Sequence, residues 1–308
     1  GNNLPTAISF MGGAGTQTAG LSFTGRVNPG PRVDDTYEYD GTSWGSGGNY
    51  GADQAYTSGA GTQTAGLAFG GNPGNSNSTE EYDGSAWTSG GALNTGRRAL
   101  TGFGLQTAAI ATGGSEGPYN DDTEQYNGSS WTEIAEINTA GGGSPGSAGT
   151  TTAGLVFGRR KLPGATKGAE TETWDGSSWT EVGDLNTARN SAGQLGTSTA
   201  SFVVAGYSST DITNVESWDG SSWTETTDMN TARAYQWGFG TSTSQVIAGG
   251  NLGPPGRTAK TEVWNGSTWT EVADQNTARS YAAGVGTSNS SALLAGGLIY
   301  PPASANTE

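Results

Sequence analysis

Trp174-Asp-Gly-Ser-Ser-Trp179 has five counterparts in the chain: Tyr39-Asp-Gly-Thr-Ser-Trp44, Tyr82-Asp-Gly-Ser-Ala-Trp87, Tyr126-Asn-Gly-Ser-Ser-Trp131, Trp218-Asp-Gly-Ser-Ser-Trp223 and Trp264-Asn-Gly-Ser-Thr-Trp269. The closing tryptophans lie 43, 44, 48, 44 and 46 residues apart. Self-similarity at a near-constant period of this length is the signature of a repeat architecture. Within each phrase, Asp-Gly or Asn-Gly supplies a turn, because Gly takes positive φ at little cost and Asp or Asn tolerates it. Aromatics five apart across such a loop can face each other as a cross-strand pair. Nine of the ten tryptophans belong to these phrases, so Trp44, Trp87, Trp131, Trp179, Trp223 and Trp269 are expected to be structural.

Working outward, each repeat reads as four short strands, A to D. Strand A follows a phrase such as Asn276-Thr-Ala-Arg279, as in Tyr281 to Val285. Strand B is an apolar run closing on Gly-Gly, as in Gln245 to Gly250, strand C opens on Thr-Glu, as in Thr171 to Trp174, and strand D starts at the next Trp, as in Trp179 to Val182. Strand B is apolar nearly throughout (Phe202-Val-Val-Ala205) rather than alternating, which suits sheets covered on both faces. Blades packed face to face around an axis bury their sheets in that way. The abundant Gly and Ala of strand A fit the crowded position nearest the axis, and no helical period is found.

The predicted fold is all-β: a single β-propeller over 1–308, with seven blades of four antiparallel strands and the last incomplete in this sequence. The blades are expected at about 1–48, 49–92, 93–137, 138–185, 186–229, 230–275 and 276–308. Thr307-Glu308 reads as the start of the last strand C, to be completed by further residues or by a strand preceding Gly1.

Composition agrees. Gly (54) and Pro (11) make up roughly a fifth of 308 residues, near the range of disordered chains. Yet ten Trp, eleven Tyr and seven Phe recur regularly, and disordered chains are poor in aromatics. A net charge of −15 opposes binding to nucleic acid. No apolar run approaches the ~18 residues of a membrane-spanning helix, and no secretory leader is expected at Gly1.

The succession of a Gly-Gly strand, an aromatic-ended strand and a Trp strand resembles the kelch repeat over essentially the whole chain, although this repeat is shorter than the usual ~50 residues. WD repeats fit less well: Trp174-Asp175 and Trp218-Asp219 open hairpin turns, and the chain has no His for the Gly-His half of that signature. The Asp-Gly-Ser-Ser-Trp phrase is similar to the sialidase Asp-box, with the Asp-to-Trp spacing one residue short. More narrowly, Gly15-Thr-Gln-Thr-Ala-Gly-Leu21, its copy at Gly61 to Leu67 and Thr79-Glu-Glu-Tyr-Asp-Gly84 resemble repeats of marine bacteriophage proteins. That resemblance implies a virion or tail-fibre component, in a virion or extracellular setting.

Kelch propellers include galactose oxidase, whose copper site uses imidazoles and a Tyr crosslinked to Cys. This chain has no His and no Cys. The same absence removes Ser-His-Asp and Cys-His nucleophiles and the usual zinc sites. Carboxylate chemistry remains, which a glycosidase would need at a set separation. No catalytic residue, metal ligand or cofactor is assigned. Asp34-Asp35 and Asp121-Asp122 could ligate calcium or be solvated loop acids. Arg97, Arg189, Arg233 and Arg279 recur at equivalent positions, as do Glu80, Glu124, Glu172, Glu216 and Glu262. They could form a sialidase-like Arg cluster, but symmetric recurrence favours repeated Arg–Glu pairs or Arg–Trp stacks tying the blades.

The segments joining strands B and C vary most and emerge on one face, where variable loops on a rigid scaffold carry binding. Eight of thirteen basic residues fall there: Arg26, Arg32, Arg159, Arg160, Lys161, Lys167, Arg257 and Lys260. With Tyr119 and Tyr207, which could stack on sugars, they are the candidate binding residues, suited to an anionic glycan or an acidic subunit; ordinary solvated loop charge is the alternative. Trp237 is expected in the core. The expected function is a non-enzymatic structural or binding protein, a fibre, nozzle or similar virion appendage for assembly or host attachment. The expected partners are other virion or surface subunits and, for attachment, a host surface glycan, with no nucleic acid and no membrane span. A repeat lectin is the alternative, and a carbohydrate-active enzyme a third reading.

Overall fold

A computed structural model describes residues 4–27, 30–143, 145–161, 166–253, 256–288 and 290–299. Its regular structure is entirely β, and the chain folds as a β-propeller. Six sheets have four antiparallel strands each. Blade IV shows the pattern: A (Gly146–Thr150), B (Ala153–Phe157), C (Thr171–Trp174) and D (Trp179–Glu181) pair in that order. The A strands of blades I to VI are Gly12–Thr16, Ser58–Thr62, Thr101–Leu105, Gly146–Thr150, Gly193–Thr197 and Trp237–Thr241. They stand side by side around the axis.

The seventh sheet is the incomplete one expected from the sequence. Among the described residues it contains only Ala283–Ser288 and Ser291–Ala295, and its inner strand packs between the A strands of blades VI and I. Among the described residues there are therefore six four-stranded blades, with a two-stranded sheet closing the ring. In this sequence no hairpin phrase of the Asp-Gly-Ser-Ser-Trp type follows Trp269, in keeping with that expectation. Thr307 and Glu308 lie outside the described residues.

The hairpin phrases act as their chemistry requires. Tyr39 pairs with Trp44, Tyr82 with Trp87, and Trp174 with Trp179 in register, the rings 4.9–5.3 Å apart. Asp40 Oδ1 accepts the backbone N–H groups of Thr42 and Ser43, each at 2.8 Å. The Asp thus closes the loop from inside in the manner of an Asx turn. These hydrogen bonds hold the Asp40, Asp175 and Asp219 carboxyls down at about 2.

Each Trp also keys its blade to the preceding one. Trp87, Trp131 and Trp223 lie edge-on to Phe23, Phe69 and Phe157 at 4.8–5.1 Å. Their indole N–H groups donate at 2.8 Å to Thr36, Thr79 and Thr171, the first residue of strand C one blade back. Blade V has Val215 at that place, opposite Val204, and among the described residues Trp269 Nε1 has no hydrogen-bond partner. Trp179 Nε1 also lacks one, because Thr123 at its acceptor place is bonded to Thr112 Oγ1 at 2.8 Å. The core is thus a series of inter-blade seams filled by side chains of two neighbouring sheets, and the cluster of blades V and VI runs on to Leu294 of the seventh sheet.

Candidate binding site

The recurrent Arg and Glu residues are scaffolding. Arg97, Arg189 and Arg233 are fully buried and pair with Glu124, Glu216 and Glu262 of their own blades. Each Glu also accepts backbone and side-chain N–H groups from the entering segment, as Glu124 does from Asn94 N (2.7 Å) and Asn94 Nδ2 (2.9 Å). Burial pushes the Arg189 and Arg233 guanidinium groups below their usual range, while Glu216 and Glu262 oppose that shift. Isolated bridges such as Arg98 with Ser115 and Gly142 with Arg160 align the entering segments of the blades. On that alignment Gly141 stands where the other blades carry Arg.

Arg159 fills this gap, which corrects its expected place among the loop-face binding residues. It is fully buried and donates from Nη1 to Glu172 Oε1 at 2.8 Å. It comes from the end of strand B, where the neighbouring blades have Gly114 and Gly206. A Cβ on Gly141 would lie 2.4 Å from Arg159 Cδ, so the two substitutions compensate. Blades I and II depart further. Blade I places Ile8 and Tyr37 in the two positions, both buried in one apolar cluster. Blade II has Gln54 and Glu80. Without a paired cation, burial pushes the Glu80 carboxyl up, against the Gly51 N–H bonds that lower it.

Most of the basic loop residues are already engaged. Lys161 pairs with Glu170, and Lys260 with Glu271 at 2.6 Å. Lys167 lies 4.6 Å above the Tyr207 ring. Arg26 donates to Gly30 O, Arg32 to Asn72 Oδ1 and Arg257 to Ser280 Oγ. Tyr119 is half-buried against Gly142. Asp34 accepts from Asn49, Asp35 from Tyr37, and Asp122 from Asn120. No group of three or more carboxylates converges among the described residues.

The exception is Arg160, exposed at the rim of a cavity of about 620 Å³ on the propeller axis. All seven sheets contribute to its wall, at the entry to their A strands. The residue two beyond each Arg position adopts the left-handed conformation: Phe10, Tyr56, Ala99, Gly143, Ser191, Tyr235 and Tyr281, with φ between 51 and 75°. Backbone bonds join several of them across blades, such as Tyr56 N to Phe10 O (3.0 Å) and Tyr235 N to Ser191 O (2.9 Å).

Four aromatics occupy consecutive places in this circle. Tyr235, Tyr281, Phe10 and Tyr56 form an arc with successive centroids 4.5, 4.9 and 4.7 Å apart. Burial and the Tyr235 phenol raise the Tyr281 hydroxyl pKa, so it stays a neutral donor. Trp237, expected in the core, is 36% exposed and lines the same cavity. The opposite side carries Ala99, Gly143 and Ser191, with Arg160 behind them. Hydroxyl and amide groups complete the wall. Among the described lining residues there is no carboxylate.

Sequence reasoning missed this site. Tyr235 and Tyr281 follow the Asn-Thr-Ala-Arg phrase at one offset, a usable signal; for Phe10 and Tyr56 the phrase is blurred by Ile8 and Gln54.

No protein-family model matches the chain, and no curated protein matches it. A solved structure described as "Structure of YjhT" superposes with a TM-score of 0.63, covering 99% of this chain and 95% of that one at 13% identity. At that identity the likeness concerns the propeller fold alone.

Proposed function

We propose that this chain is a non-enzymatic binding propeller of the kelch type, built into a bacteriophage virion appendage for assembly or host attachment. The observation that carries the binding reading is the central cavity, which offers aromatic faces, hydroxyls, amides and one guanidinium but no acid or base pair among its described residues. General acid–base or glycosidic chemistry requires such groups within reach of the substrate. The recurrent Glu residues that could have supplied it sit inside the blades, bound to backbone and Arg. The appendage reading rests on the resemblance of Gly15 to Leu21 and Thr79 to Gly84 to marine phage repeats, and it implies a virion or extracellular location with neighbouring virion subunits as partners. A repeat lectin binding glycans at several similar sites between blades is disfavoured, because Trp131, Trp179, Trp223 and Trp269 are only 5–6% exposed.

Cryo-EM reconstruction of the native source particle tests the proposal. The expected result is this propeller as an ordered, symmetric part of an appendage, with the face bearing the B–C loops turned to a neighbour or to solvent. Recovery of the chain as a free monomer would refute the assembly reading.

A further inference from the structure

We infer that the axial cavity binds an acidic oligosaccharide, with a sugar face against the Tyr235–Tyr281–Phe10–Tyr56 arc and a carboxylate at Arg160. The inference deepens the binding reading above and rests on it. Its first support is conformational. The seven entry positions all require positive φ, which Gly adopts without penalty and aromatic residues adopt at a cost. Blade IV uses Gly143 there, yet four consecutive blades carry large aromatics. The backbone does not ask for rings at these places, and strained positions that persist tend to cluster at ligand sites. Tyr56 remains 37% exposed despite its contact with Phe10, so the arc presents aromatic surface to the cavity.

The second support is polar. Gln236 is 5% exposed and lines the cavity; its Nε2 donates to Val204 O at 2.8 Å, while its Oε1 has no partner among the described residues. A buried amide oxygen of this kind is suited to accepting a ligand hydroxyl. The third support is charge. Arg160 is the single formally charged residue among the described lining residues, and blade IV places it across the axis from the arc. A guanidinium fork matches a carboxylate in geometry as well as charge. The volume of about 620 Å³ falls within the range of roughly 300–1,000 Å³ for small-molecule sites.

The test is calorimetric titration of the whole chain with trigalacturonate and, as the neutral counterpart, maltotriose. Saturable binding of trigalacturonate, tighter than maltotriose, is expected. Arg160→Gln should weaken trigalacturonate by about tenfold and leave maltotriose unchanged. Tyr56→Gly and Tyr235→Gly keep the left-handed backbone while removing a ring; each should weaken both sugars with little change in melting temperature. If the glycine variants unfold, Arg160→Gln still decides, because its side chain is exposed. No saturation by trigalacturonate at millimolar concentration would overturn the assignment, as would equal affinity for both sugars or undiminished binding in Arg160→Gln. Conversion of trigalacturonate to products would instead refute the non-enzymatic reading while leaving the site in place.

Discussion

Blade III can be rewritten with the residues blade I uses at the same places. Arg97 and Glu124 are both fully buried, 2.8 Å apart, and Arg97 Nη2 also donates to Ala111 O. Arg97→Ile alone leaves a buried carboxylate without its cation, which costs about 3–5 kcal/mol. Blade I answers the same geometry with Ile8 and Tyr37, whose hydroxyl bonds Thr6 Oγ1 and Asp35 Oδ2. Thr95 and Asp122 stand at the corresponding places in blade III. The double variant Arg97→Ile/Glu124→Tyr should recover most of the loss, since well-packed apolar replacements of buried pairs are often neutral. It still strands the N–H of Asn94, which Glu124 now accepts at 2.7 Å; an unsatisfied buried donor costs about 1–3 kcal/mol. Blade I has Pro5 there, with no N–H to satisfy. Adding Asn94→Pro should therefore bring stability to within about 1 kcal/mol of the parent. Urea midpoints with unchanged slopes give the three values. The reasoning is refuted if Arg97→Ile costs no more than a surface change, about 0.5 kcal/mol, or if the triple variant is no better than the single one.

Arg159→Gly should destabilise by about 3–5 kcal/mol, and adding Gly141→Arg should restore most of it by returning the cation to its usual strand; denaturant midpoints check both. Val215→Thr gives Trp269 Nε1 the acceptor that Thr36, Thr79 and Thr171 give their partners, and should raise stability by about 1 kcal/mol, read from the unfolding midpoint. The Asp40, Asp175 and Asp219 carboxyls are held at about 2, below the ordinary 3.8, so the stability they contribute is present above about pH 4 and lost as pH falls towards 2. Replacing all three by Asn, as Asn127 and Asn265 already stand in blades III and VI, should flatten that acid limb in a circular-dichroism titration.

The C–D hairpins were legible because everything that forms them is local. An Asp or Asn oxygen closes the loop onto N–H groups two and three residues on, and the flanking aromatics meet across the same turn. Their period carried the blade architecture, and the symmetric recurrence of Arg and Glu pointed to pairs tying the blades, although the pairs form within single blades. Arg159 was misplaced because sequence distance from the Asn-Thr-Ala phrase hides its neighbours. The end of strand B and the entry to strand A meet only once the sheet has formed, through the bridge between Gly142 and Arg160.

The linear sequence by itself determined the all-β class, the repeated sheet and the pairing of aromatics across each hairpin, since these follow from short-range turn chemistry and a regular period. The bonds by which Trp87, Trp131 and Trp223 key neighbouring blades appear only in the tertiary structure. Only ring closure decided the cavity. Phe10, Tyr56, Tyr235 and Tyr281 lie far apart along the chain and become neighbours because the seventh sheet joins blade VI to blade I. Each enters the axis through the same left-handed turn, so their convergence is a property of the closed circle and of no single repeat.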